Sequence, residues 1–174
     1  MLVIGFDPGL TSTGWCVLDT DKQKIIDSGV IKTCNIRQRE ERLFAIRQST
    51  KAILQGYMRM DPQVAIEDFI FQKRKTRCGE EVPLKSAELL NRVVQVIVSV
   101  CWDLGIEVSL YPAPDVKGAI AAYERADKEA MRKAVKLRLS EIPRPSHIVD
   151  AAAVALYHAD LSVIGSRAVA EVRG

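Results

Sequence analysis

The sequence predicts an α/β fold, a mixed five-stranded sheet flanked by helices on both faces. Three observations lead there. The first part of the chain carries three short apolar runs separated by turn residues. Two more strand-like runs follow, each preceded by a longer stretch with helical spacing. The remainder is helical and ends in an alanine-rich segment. The order βββαβαβ followed by helices (βββαβαβα in short) sets helices on both sides of one sheet. At 174 residues, 48% of them hydrophobic, the chain is expected to form a single domain over 1–174. A flexible tail is expected from about residue 161.

Residues 2–6, LVIGF, form a strand stopped by Asp7-Pro8-Gly9. Residues 14–19 and 24–33 read as two more strands, joined by a hairpin through 19–22, with a bulge at Gly29. Residues 38–57 are helical, with Leu43, Ile46, Ile53 and Leu54 apolar among Arg and Glu. Pro62 precedes a fourth strand, VAIEDFIF, over 64–71, and a polar, basic loop fills 72–83. A long helix over 84–104 leads to the fifth strand, IEVSLY, at 106–111. Amphipathic helices follow over 115–123 and 127–139, the second with Asp127 as N-cap. Pro145-Ser146 opens the last helix, whose alanine-rich body runs through Ala159.

Composition narrows the function classes. The longest apolar run, 93–102, is too short to span a bilayer, and no stretch is laid out like a signal peptide. A cytoplasmic protein without membrane partners is expected. Cys16, Cys34, Cys78 and Cys101 form no close pair, which argues against structural zinc. Net charge is only +3, but the positive charges cluster. Lys73, Arg74, Lys75 and Arg77 form one group, and Lys128, Arg132, Lys133, Lys136 and Arg138 another. Such groups neutralise phosphates, though solvated helix faces look the same.

Acidic residues carry the chemistry. Alone, Asp7 reads first as a turn residue. Glu67 is harder to set aside, because a carboxylate inside an apolar strand is costly unless it is paired or bound to metal. Strand alternation puts Glu67 with Ala65, Phe69 and Phe71, and Asp68 on the other face. His147 and Asp150, three apart, share one face at the start of the last helix. Three hard oxygen donors and one imidazole suit Mg²⁺ or Mn²⁺ better than zinc.

Three segments, IGFDPGLTSTGW, AIEDFIF and PSHIVDAAAVALYHA, together resemble the RuvC family of Holliday junction resolvases. The resemblance spans most of the chain in the family's order. It implies an RNase H-like fold and a crossover junction endonuclease that nicks four-way DNA in pairs with two Mg²⁺ per site, Mn²⁺ substituting. Asp7, Glu67, His147 and Asp150 match the family's metal-binding and catalytic positions. His147 stands where many members have Asp, and a ligand role and a proton-accepting role both remain open. Lys117 and Lys128 match basic positions near the scissile phosphate, Lys128 stabilising the transition state. The family's aromatic residue beyond the strand glutamate has no aligned match, since Ile70 holds that place. Phe71, then Phe69, are the candidates to stack on DNA bases.

A homodimer is expected on two grounds. The resemblance implies one, and the helix over 84–104 has apolar residues in nearly every direction, including Val94, Ile97 and Trp102. One side can face the sheet and the other a symmetry mate. The partners implied are four-way junction DNA and a second copy, with a branch-migration motor complex left open. The rival readings are a YqgF-like nuclease acting on RNA and a non-catalytic junction-binding protein.

Overall fold

The computed structural model describes residues 1–68, 73–75, 81–83, 85–139, 141 and 144–172. Strands β1 (Leu2–Asp7), β2 (Ser12–Asp19) and β3 (Lys24–Lys32) form an antiparallel meander, followed by α1 (Arg39–Tyr57) and a short 3₁₀ turn at Met58–Met60. Next come β4 (Gln63–Asp68), a two-stranded ribbon of β5 (Lys73–Lys75) and β6 (Glu81–Pro83), and α2 (Lys85–Asp103). The chain ends with β7 (Val108–Pro112), α3 (Ala113–Ala121), α4 (Lys128–Arg138) and α5 (Ser146–Val172). The main sheet has the order β3-β2-β1-β4-β7, with β4 parallel to both β1 and β7. This is the expected mixed five-stranded sheet.

Strand β1 lies near the centre and is buried along its whole length, as its unbroken apolar run requires. On one face Ile4, Phe6, Val17 and Ile66 pack against Ile46 and Leu54 of α1 and Val93, Val94 and Ile97 of α2. On the other, Val3, Cys16 and Ala65 meet α3, α4 and the alanines of α5. Helix α5 is long and apolar enough over Ser146–Ile164 to cross a membrane, but half of that stretch is buried inside the protein. It is a core helix whose small side chains let it lie close on the sheet. A Cβ at Gly5 would collide with the Ala151 carbonyl oxygen, and one at Gly14 with the His147 carbonyl oxygen.

Four local expectations change. The segment expected as an open basic loop contains the β5–β6 ribbon, whose backbones pair although its sequence has no apolar alternation. The register shift between β2 and β3 falls at Val17/Leu18, while Gly29 stays paired with Trp15. Gly29 makes room instead: a Cβ there would strike the Trp15 ring at 2.9 Å. Helix α5 continues to Val172, as no proline beyond Ala159 stops it. Finally, α2 is largely covered by its own chain, so its apolar surround does not require a second subunit. Val94 and Ile97 are fully buried against the sheet side, and Glu88, Arg92, Gln95 and Trp102 face solvent.

Candidate active site

The register β1–β4 brings two carboxylates together. Phe6 pairs with Ile66, so Asp7 and Glu67, one residue further on each strand, are neighbours on the α5 face. Both are buried. The turn after Asp7 is held by Thr13, whose hydroxyl donates to the Gly9 carbonyl at 2.8 Å.

Helix α5 enters against this pair. His147 Nδ1 lies 2.7 Å from Asp7 Oδ2, and Asp150 stands one turn on from His147. Close approach depends on the missing Cβ of Gly14, which lies under the first turn of the helix. From the third side come Lys117 of α3 and Lys128, the first residue of α4. These six residues, with Ala113, Ala126, Asp127 and Met131, line a cleft of about 220 Å³. A larger hollow of about 550 Å³ lies at the opposite end of the sheet, around Met60, Gln63 and Glu107. It contains none of these groups.

The cleft is electrostatically loaded. Burial, then repulsion from Asp7 and Asp150, pushes the Glu67 carboxyl up to about 8, partly offset by Lys117. Burial and the charge of Asp7 raise Asp150 to about 6, against the opposing pull of Lys128, His147 and Lys117. The hydrogen bond to Asp7 raises His147 above the ordinary imidazole range, despite its partial burial. Among the described residues no three His, Cys, Asp or Glu side chains are placed to hold a metal ion as they stand.

Thus Asp7, Glu67, His147, Asp150, Lys117 and Lys128 come together in one place. Lys73, Arg74 and Lys75 lie on β5, which follows β4 beyond Glu67. Phe69, Phe71 and Arg77 lie outside the described residues. Sequence reasoning saw Asp127 only as an N-cap, a role it fills by accepting from the Glu129 and Ala130 amides. It also lines the cleft, and its place beside Lys128 was the available signal. Gly5 and Gly14 were passed over, although small residues in buried strands opposite an alanine-rich helix signal close packing.

This sheet order, with a cleft of carboxylates where strands β1 and β4 end, is that of an RNase H-like protein. The family model described as "Crossover junction endodeoxyribonuclease RuvC" matches residues 3–158. The chain belongs to the RuvC family. The crossover junction endodeoxyribonuclease RuvC of Caldicellulosiruptor saccharolyticus is 33% identical over 163 residues, covering 91% of this chain and 92% of the relative. That of Fusobacterium nucleatum is 33% identical over 173 residues, covering 96% and 83%. The structure of T. thermophilus RuvC in complex with Holliday junction substrate is similar with a TM-score of 0.77 and 29% identity, covering 95% of this chain and 96% of that one.

Proposed function

We propose that this protein is an endodeoxyribonuclease that resolves four-way DNA junctions by paired nicks, dependent on divalent metal. The observation that carries the reading is the convergence of three carboxylates, one imidazole and two lysines on one cleft in a chain of this family.

The donor set fits hard divalent cations. Burial and the neighbouring carboxylates raise Glu67 and Asp150, and a cation would relieve that repulsion. Asp7, Glu67 and Asp150 would hold Mg²⁺, or Mn²⁺ in its place, with His147 a further ligand or a proton acceptor. Bound there, such cations would supply activation of a water and stabilisation of the leaving oxygen in phosphodiester cleavage. Asp7 could meet a cation through Oδ1 while Oδ2 accepts from His147 Nδ1–H, which would leave Nε2 of His147 to take a proton. Lys128 and Lys117, on the opposite wall, would offset charge developing on the phosphate. The basic β5 strand would hold phosphates beside the cleft, with Phe69 or Phe71 stacking on bases.

Paired nicks require two such clefts related by a two-fold axis, hence a homodimer. Phe44 on α1 and Trp102 on α2, 62% and 70% exposed on neighbouring helices, support an interface there. The reading implies the bacterial cytoplasm as the compartment. Incubation with labelled four-way junction, duplex, flap and RNA–DNA hybrid, in Mg²⁺ and in EDTA, tests it. Symmetric nicks in the junction alone, only with Mg²⁺, are expected. Preferred cleavage of the hybrid would replace this reading with an RNA-directed one.

A further inference from the structure

We propose that the connection between β3 and α1 is a second phosphate-binding flank of the cleft, gripping the backbone of a junction arm through Lys32, Arg37 and Arg39. The inference rests on the junction-nuclease reading and extends it to residues on the side of the cleft away from Lys117 and Lys128.

The sheet order sets the geometry. Lys117 follows β7, at one edge of the sheet, whereas Lys32 ends β3, at the other, with Asp7 at the end of the strand between them. Strands β1 and β3 run the same way, each antiparallel to β2, so Asp7 and Lys32 finish at the same end of the molecule. The connection is also tied to the site. The Thr33 amide donates to the Thr11 carbonyl at 3.0 Å and its hydroxyl to the Leu10 carbonyl, both in the turn that follows Asp7. Thr33 is buried, so the anchor is part of the core edge.

The rest of the connection is ordered by its own bonds. The Ile36 amide donates to the Thr33 carbonyl, and Arg42 Nε donates to the Ile36 carbonyl at 2.7 Å. Lys32, Arg37 and Arg39 project from this frame, all exposed, and none makes an ion pair among the described residues. Glu40 and Glu41 in the first turn of α1 form no ion pair with them there either. Three exposed cations without an ion pair among the described residues thus stand at the same end of the sheet as the carboxylate cluster. A polyanion crossing that cluster must leave it on both sides, and an ordered cationic flank offsets its charge without reading bases.

The test measures binding of a labelled synthetic four-way junction in EDTA as a function of salt. The triple variant Lys32→Gln, Arg37→Gln, Arg39→Gln is compared with wild type and with Lys24→Gln, Lys51→Gln, Arg59→Gln, an equal loss of exposed charge away from this connection. Loss of three phosphate contacts should lower the slope of log affinity against log salt by about 2 to 3. The control variant should keep the wild-type slope, and Arg37→Lys with Arg39→Lys should retain most of it. A triple variant with the wild-type slope, or a control with an equal loss, overturns the inference. Wild-type protein binding the junction no better than duplex would instead defeat the junction reading itself.

Discussion

Glu67 is buried and Asp150 partly buried beside like charges, and both are raised, so their effect on stability has a fixed sign. Between the ordinary carboxylate range and the folded values of about 8 and about 6, the folded chain binds more protons than the unfolded chain. Stability of the metal-free protein therefore falls as pH rises through that window. His147 adds to the trend, because a raised imidazole contributes fully below its unfolded pKa and loses that contribution as pH rises through the folded one. The thermal midpoint in EDTA is expected to drop between about pH 5 and about pH 8, and Mg²⁺ to raise it more at the higher pH. A metal effect equal at both would contradict the assignment of these carboxylates. His147 has a separate kinetic signature. If it must be neutral to act, nicking at saturating metal should decline as pH falls through its titration. A His147→Asp variant should remain active with its acid limb at lower pH, whereas superimposable profiles would make His147 a bystander.

Helix α5 is the element on which the site depends, since it carries His147 and Asp150 and lies close on the sheet over Gly5 and Gly14. Gly14→Ala should push its first turn away from Asp7, lowering stability by about 1–3 kcal/mol and nicking with it. Denaturant unfolding and nicking rates on the same protein check this. Further along α5, buried His158 bridges the Tyr111 hydroxyl at 2.7 Å and Gln63 Oε1 at 2.8 Å, tying the helix to β7 and β4. His158→Leu removes both bonds and should cost about 1 kcal/mol for each in urea unfolding. Of this arrangement, Glu67 was legible as a carboxylate in an apolar strand and His147 with Asp150 as a pair opening a helix, while Asp7, alone a turn residue, stood out only beside them. The β5–β6 ribbon was not, because strand patterning reports a buried face and QKRKTRCGEEVP has none to report. Nor did the sequence reveal what covers α2. Apolar content measures how much must be buried, and α1 and the sheet bury Val94 and Ile97 without help from a partner.

For the whole molecule, that burial relocates the test of the dimer. A charge at Val94 or Ile97 should unfold the chain rather than split a dimer, because both are core residues. Trp102→Glu with Phe44→Glu should instead yield folded monomers by sedimentation, and these should lose the pairing of nicks. Wild-type monomer at micromolar concentration that still nicks in pairs would contradict the two-fold account. The central claim is that the cleft around Asp7 cleaves DNA which the rest of the surface binds. The most direct measurement follows binding and nicking of one labelled four-way junction, in Mg²⁺, by wild type and by Asp7→Asn. The amide holds a cation poorly and repels phosphate less. Nicking should vanish while binding is kept or tightened. Undiminished nicking by Asp7→Asn, or loss of binding together with cleavage, would contradict it.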